Sequence, residues 1–143
     1  MRSITLATLL VATATTAAMA AGTTPKATEL PGTTWALDCS KPPSSSNFYL
    51  TYGVNKDGRL VETLKSGGKD AVRPIRNIQV ISKDWTLYTM DDSDGEPVNI
   101  LTFTDSQGRK KSWWSVGNGG KAYIADGKFP DGNGGPPWFS QCK

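Results

Sequence analysis

After residue 29 no stretch of this chain sustains a helical period. Short runs rich in Val, Ile, Tyr, Phe, Trp and Thr alternate instead with clusters of Gly, Asp, Asn and Ser, about every dozen residues. A chain so punctuated pairs neighbouring runs as antiparallel hairpins, because the links are too short for crossovers. The expected fold class is all-β: an up-and-down meander of about eight strands. The candidate strands are residues 33–38, 48–54, 59–65, 72–82, 85–90, 98–104, 110–116 and 121–127. Alternation puts Phe48, Leu50, Tyr52 and Val54 on one face. In 72–82 it puts Ile78 and Val80 on one face, with Ile75 and Ile81 on the other. It sends the adjacent Trp113 and Trp114 to opposite faces. Closing such a meander into a barrel removes its exposed edges. A two-layer β-sandwich is the alternative.

The first 20 residues are set apart from the fold. Arg2 precedes a short apolar run, and Ala18-Met19-Ala20 is a small-x-small cleavage site, so 1–20 reads as a cleavable signal peptide. Residues 21–29 read as a flexible lead-in and 30–143 as a single β domain. The expected location is periplasmic or secreted, with nothing to hold the mature chain in a membrane. The chain's net charge of +3, lowered by one when Arg2 leaves, is too slight for a nucleic-acid binder. Its one compact basic run, Arg109-Lys110-Lys111, reads as a solvated hairpin end.

Two cysteines and no histidine sharpen the picture. Cys39 and Cys142 sit near the two ends of the mature chain, and an oxidising compartment favours their pairing. Two unpaired thiols are the other possibility. Absent histidine removes Ser-His-Asp and Cys-His catalysis and every histidine metal site. The Asp91-Asp92-Ser93-Asp94-Gly95-Glu96 turn has the carboxylates of a calcium loop, but EF-hand alignment puts Met90 and Leu101 at the end ligand positions. It reads as a solvated hairpin turn. No metal and no cofactor is expected.

Gly32-Thr33-Thr34-Trp35 resembles the Gly-x-Trp signature of the calycins, the lipocalin- and avidin-like small barrels, with one extra residue between glycine and tryptophan. The resemblance implies a barrel with Trp35 packed across one end. Trp35-x-Leu37-x-Cys39 and Pro137-Trp138-Phe139-x-x-Cys142 are similar to stretches in small secreted proteobacterial proteins.

The aromatic residues are the candidate contacts: Trp35, Tyr52, Trp85, Tyr88, Trp113, Trp114 and Trp138. At a barrel mouth, Trp and Tyr suit a small apolar or aromatic ligand. The expected function is therefore a binding module. It holds either such a ligand or a protein target, such as a protease or lysozyme, through loops 41–47 and 129–138. One alternative is an envelope structural or stress protein without ligand. The other is a small hydrolase using carboxylates such as Glu62, Asp91 or Asp126, which needs two acids across a cleft. Oligomeric state is not readable from the sequence.

Overall fold

The structure is a computed structural model that describes residues 30–143; the signal peptide and lead-in expected at 1–29 lie outside the described residues. Nine antiparallel strands form one sheet: β1 Thr34–Ala36, β2 Tyr49–Val54, β3 Leu60–Lys65, β4 Ala71–Val80, β5 Trp85–Asp91, β6 Pro97–Thr104, β7 Lys110–Val116, β8 Ala122–Ile124 and β9 Ser140–Cys142. Among the described residues the helical content is a single 3-10 turn, Asn118–Gly120. The order across the sheet is β8-β7-β6-β5-β4-β3-β2-β1-β9, so each strand from β1 to β8 pairs with its sequence neighbour. The meander is thus as expected. The ninth strand is not: the tail residues return to lie beside β1.

Three hairpins are set by one repeated local device. Asn55, Asp92 and Asp105 each open a four-residue turn that ends in glycine: Gly58, Gly95 and Gly108. In each, one side-chain oxygen accepts two backbone amides, from Asp57 and Arg59, from Asp94 and Glu96, and from Gln107 and Arg109. The glycines take φ of 76°, 82° and 74°, the left-handed conformation that closes this turn into the next strand. The carboxylate of Asp92 therefore serves its own turn's amides, and Asp91 pairs with Arg76.

Two register slips correct the face assignments made from simple alternation. Ile75 faces Met90 and Asn77 faces Thr89, so Arg76 is an extra residue on β4. Ile75 thereby moves to the face of Ile78, and both pack against the core of Tyr52, Tyr88 and Met90. On β7, Leu101 faces Trp114 while Thr102 faces Ser112, leaving Trp113 as the extra residue. Trp113 packs on Trp85 and Phe103, with ring centroids at 5.8 and 5.9 Å. Both tryptophans therefore sit on the outer face, not on opposite faces. A bulge inserts one residue and so resets the two-residue period.

The sheet is rolled. Six strand steps separate β7 from β1, and at ~4.8 Å per step a flat ladder would hold them about 29 Å apart. Yet Lys110 of β7 places its Nζ 4.4 Å from the Trp35 ring of β1. The residue before β9 also reaches β7: Lys110 N donates to Phe139 O at 2.9 Å and Phe139 N donates to Lys110 O at 2.8 Å. The ladder itself remains open, with β8 and β9 as its edge strands. A disulfide joins Cys39 to Cys142, with Cα atoms 5.5 Å apart, and ties the loop that follows β1 to β9.

Candidate functional site

The inner face of the rolled sheet is not uniformly apolar. Tyr52, Glu62 and Arg73 are direct cross-strand partners on β2, β3 and β4, so pleating turns all three to the same side. They meet there in a chain of polar contacts. Tyr52 donates from its hydroxyl to Glu62 Oε2 at 2.7 Å. Arg73 Nη2 pairs with Glu62 Oε1. Across the interior, Lys110 Nζ donates to the Tyr52 hydroxyl at 2.6 Å.

Lys110 is the unusual member. It is 5 % exposed, and Glu62 is 3 %. Its ammonium lies 4.4 Å from the Trp35 ring centroid and 4.2 Å from that of Tyr52. The negative faces of the two rings partly replace lost water. Burial nevertheless disfavours the charge and lowers the Lys110 pKa to about 7, against an opposing attraction from Glu62. The same burial, reinforced by Glu62, pushes Tyr88 up to about 12. Tyr52 is raised well above its ordinary value, by burial first and then by Glu62. Both phenols therefore stay protonated donors through neutral pH.

The Lys110 shift has a measurable consequence for stability. An unfolded Lys110 titrates near 10.5 and the native one near 7. Between those values the unfolded chain binds a proton that the native chain lacks. Native stability therefore rises with pH across that window, by about 1.4 kcal/mol per pH unit, and the full penalty of the buried charge is felt below it. Urea unfolding at pH 7.5 and 9.0 is expected to show the native protein gaining about 2 kcal/mol relative to a Lys110→Met variant. Identical pH dependence in the two proteins would place Lys110 in water.

Two cavities flank this lysine. One of about 50 Å3 is bordered by Tyr52, Glu62, Arg73, Tyr88, Lys110 and Ser112. The other, of about 160 Å3, is more apolar and is bordered by Leu30, Trp35, Ile78, Val80, Tyr88 and Lys110. Lys110, Tyr88 and Thr102 line both. Two buried donors, Trp35 Nε1 and Arg73 Nε, have no hydrogen-bond partner among the described residues.

The candidate aromatics thus divide. Trp35, Tyr52 and Tyr88 come together at the cavities. Trp85, Trp113 and Trp138 gather instead on the outer face around Phe103, with centroids 4.8 to 6.1 Å from it. Arg109 and Lys111 lie 5.2 and 5.3 Å from the Trp138 ring. Trp114 is apart from both groups and 38 % exposed. Of the acids considered for hydrolysis, Glu62 is held by Arg73 and Tyr52, Asp91 by Arg76, and Asp126 sits at φ 51° in the turn after β8. Of the two loops considered for a protein target, 41–47 is fastened by the buried Asn47. Its Nδ2 donates to the carbonyls of Asp38, Lys41 and Pro42, and its Oδ1 accepts from Asp38 N.

Lys110 and Arg73 are the residues that sequence reasoning misses. The basic run containing Lys110 reads as solvated, and the structure corrects this for Lys110 while Arg109 and Lys111 remain half-buried. The available signal is parity: Lys110 shares its face of β7 with Ser112, two positions on. Comparison with family models, with curated proteins and with solved structures finds no significant match.

Proposed function

We propose that this protein is an exported binding module whose rolled sheet works as a calycin-like barrel and takes a small ligand with an apolar or aromatic body into its interior. The observation that carries this reading is the cavity of about 160 Å3 beside Trp35, Ile78, Val80 and Tyr88. An apolar cavity of about 150 Å3 is large enough to hold benzene. The Lys110–Phe139 backbone pair supports the barrel reading, because it brings the tail strand to β7. The disulfide is compatible with an extracytoplasmic location.

Benzene is the direct probe. Added to the 15N-labelled protein, it is expected to shift amide and indole resonances clustered at Trp35, Ile78, Val80 and Tyr88, and Val80→Phe is expected to abolish those shifts by filling the space. No shift at these residues would reject the ligand reading in favour of a structural protein. Shifts confined to Trp114 and the exposed Tyr123 and Phe129 would move attention to the outer surface and a protein target.

A further inference from the structure

The interior charges do not cancel. Arg73 is neutralised by its pairing with Glu62. Lys110 has no carboxylate in ion-pair contact among the described residues, and its one hydrogen-bond partner is the Tyr52 hydroxyl. An ammonium has three donors, so two of its N–H groups have no hydrogen-bond acceptor among the described residues beyond the Trp35 and Tyr52 ring faces. This happens at a side chain that is 5 % exposed and borders both cavities. Trp35 lines the larger cavity too, and its buried indole N–H also lacks a partner among the described residues. The interior therefore has a surplus of donors and, when Lys110 is protonated, one positive charge that the Trp35 and Tyr52 rings face but no carboxylate pairs. Buried donors left unmatched are costly, so an occupant that supplies acceptors is favoured.

We infer that the ligand carries a carboxylate, which seats on Lys110 beside the Trp35 ring while its apolar body fills the larger cavity. This rests on the ligand-binding reading above and specifies the chemical class of the ligand. A neutral acceptor would satisfy a donor but leave the charge unpaired. An amine would meet like charge. A carboxylate does both jobs, and its charge-assisted hydrogen bonds are about twice as strong as neutral ones.

The groups around Lys110 leave the lysine as the titrating partner near neutrality. From β2 and β5 it meets the Tyr52 and Tyr88 phenols, both raised; from β3 and β4, the Glu62–Arg73 pair; on its own strand, Lys111 points to Gly127 O at 3.3 Å. A carboxylate binds the ammonium form, so its affinity falls as Lys110 loses its proton, about tenfold for each pH unit above 7.

The test is calorimetric titration with three matched probes, phenylacetate, phenylacetamide and phenethylamine, at pH 6 and pH 8.5. Phenylacetate is expected to bind at pH 6 at least tenfold more tightly than phenylacetamide, with phenethylamine weakest, and to lose that advantage at pH 8.5. Lys110→Met is expected to bring phenylacetate down to the affinity of phenylacetamide. If benzene enters the cavity but phenylacetate and phenylacetamide bind equally at pH 6, the carboxylate inference fails and the ligand reading stands. If neither benzene nor phenylacetate binds, both fail. Should Lys110→Met not fold, the native protein decides alone: equal affinities for phenylacetate and phenylacetamide at pH 6 overturn the assignment.

Discussion

Replacing Cys39 and Cys142 together by serine is expected to remove about 4–5 kcal/mol of stability. The two cysteines are 103 residues apart in sequence, so the bond closes nearly the whole described domain into one loop. An open loop of that length gives the unfolded chain entropy that the bond withholds. The folded side is equally exposed. β9 is three residues long and pairs with β1, and Phe139 just before it makes a single pair with Lys110. Without the disulfide those few hydrogen bonds must hold the tail alone. For a domain of this size the loss corresponds to a fall in Tm on the order of 20 °C. Scanning calorimetry of the double variant checks it; a fall of only a few degrees would show that β9 is anchored by its own pairing.

The second large effect is expected at Glu62. Glu62→Gln keeps the side chain's size but leaves Arg73 unpaired and Lys110 without the nearby negative charge that favours its proton. Removing one member of a buried ion pair costs about 3–5 kcal/mol. The lower figure, about 3 kcal/mol, is expected here because the Arg73 side chain is 31 % exposed and partly screened. The double variant Glu62→Leu with Arg73→Leu removes both charges and is expected to cost less than Glu62→Gln alone. Urea unfolding of the two variants measures the order. A Glu62→Gln variant as stable as the native protein would mean that the interior pair is solvated.

How much of this was legible beforehand differs from element to element. Five strands from β2 to β7 start or end where the alternation of Val, Ile, Tyr and Thr with turn residues places them, because hairpin pairing is local. The Asn/Asp-x-x-Gly turns are readable for the same reason: the side-chain oxygen and the left-handed glycine act within five residues. The disulfide follows from cysteine count and expected compartment. β9 is not legible, because residues 129–137 look like a Gly/Pro tail and its partner β1 is about a hundred residues away. The bulges at Arg76 and Trp113 are not legible either, because one inserted residue leaves no compositional mark, and the partner strand decides which residue is extra.

The candidate site was legible in part, for a related reason. Trp35, Tyr52 and Tyr88 are large aromatics on inward positions, and composition singles them out. Glu62, Arg73 and Lys110 are charged, and charge ordinarily signals solvent. Their burial depends on Glu62 meeting Arg73 across a strand pair and on β7 coming round to β1 and β2, which is a property of the rolled sheet rather than of any segment. The outer cluster of Trp85, Phe103, Trp113 and Trp138 is likewise invisible to simple alternation, which sends adjacent tryptophans to opposite faces.

The interior site exists because the sheet rolls around Lys110. Two-dimensional NOE spectroscopy tests it most directly, through the ε-methylene protons of Lys110. The account predicts strong cross-peaks from these protons to the ring protons of both Trp35 and Tyr52, with resonances shifted upfield by the two rings. Cross-peaks absent at both rings, with the ε-methylene at its random-coil position, would mean that β7 does not meet β1 and β2, and would contradict the account.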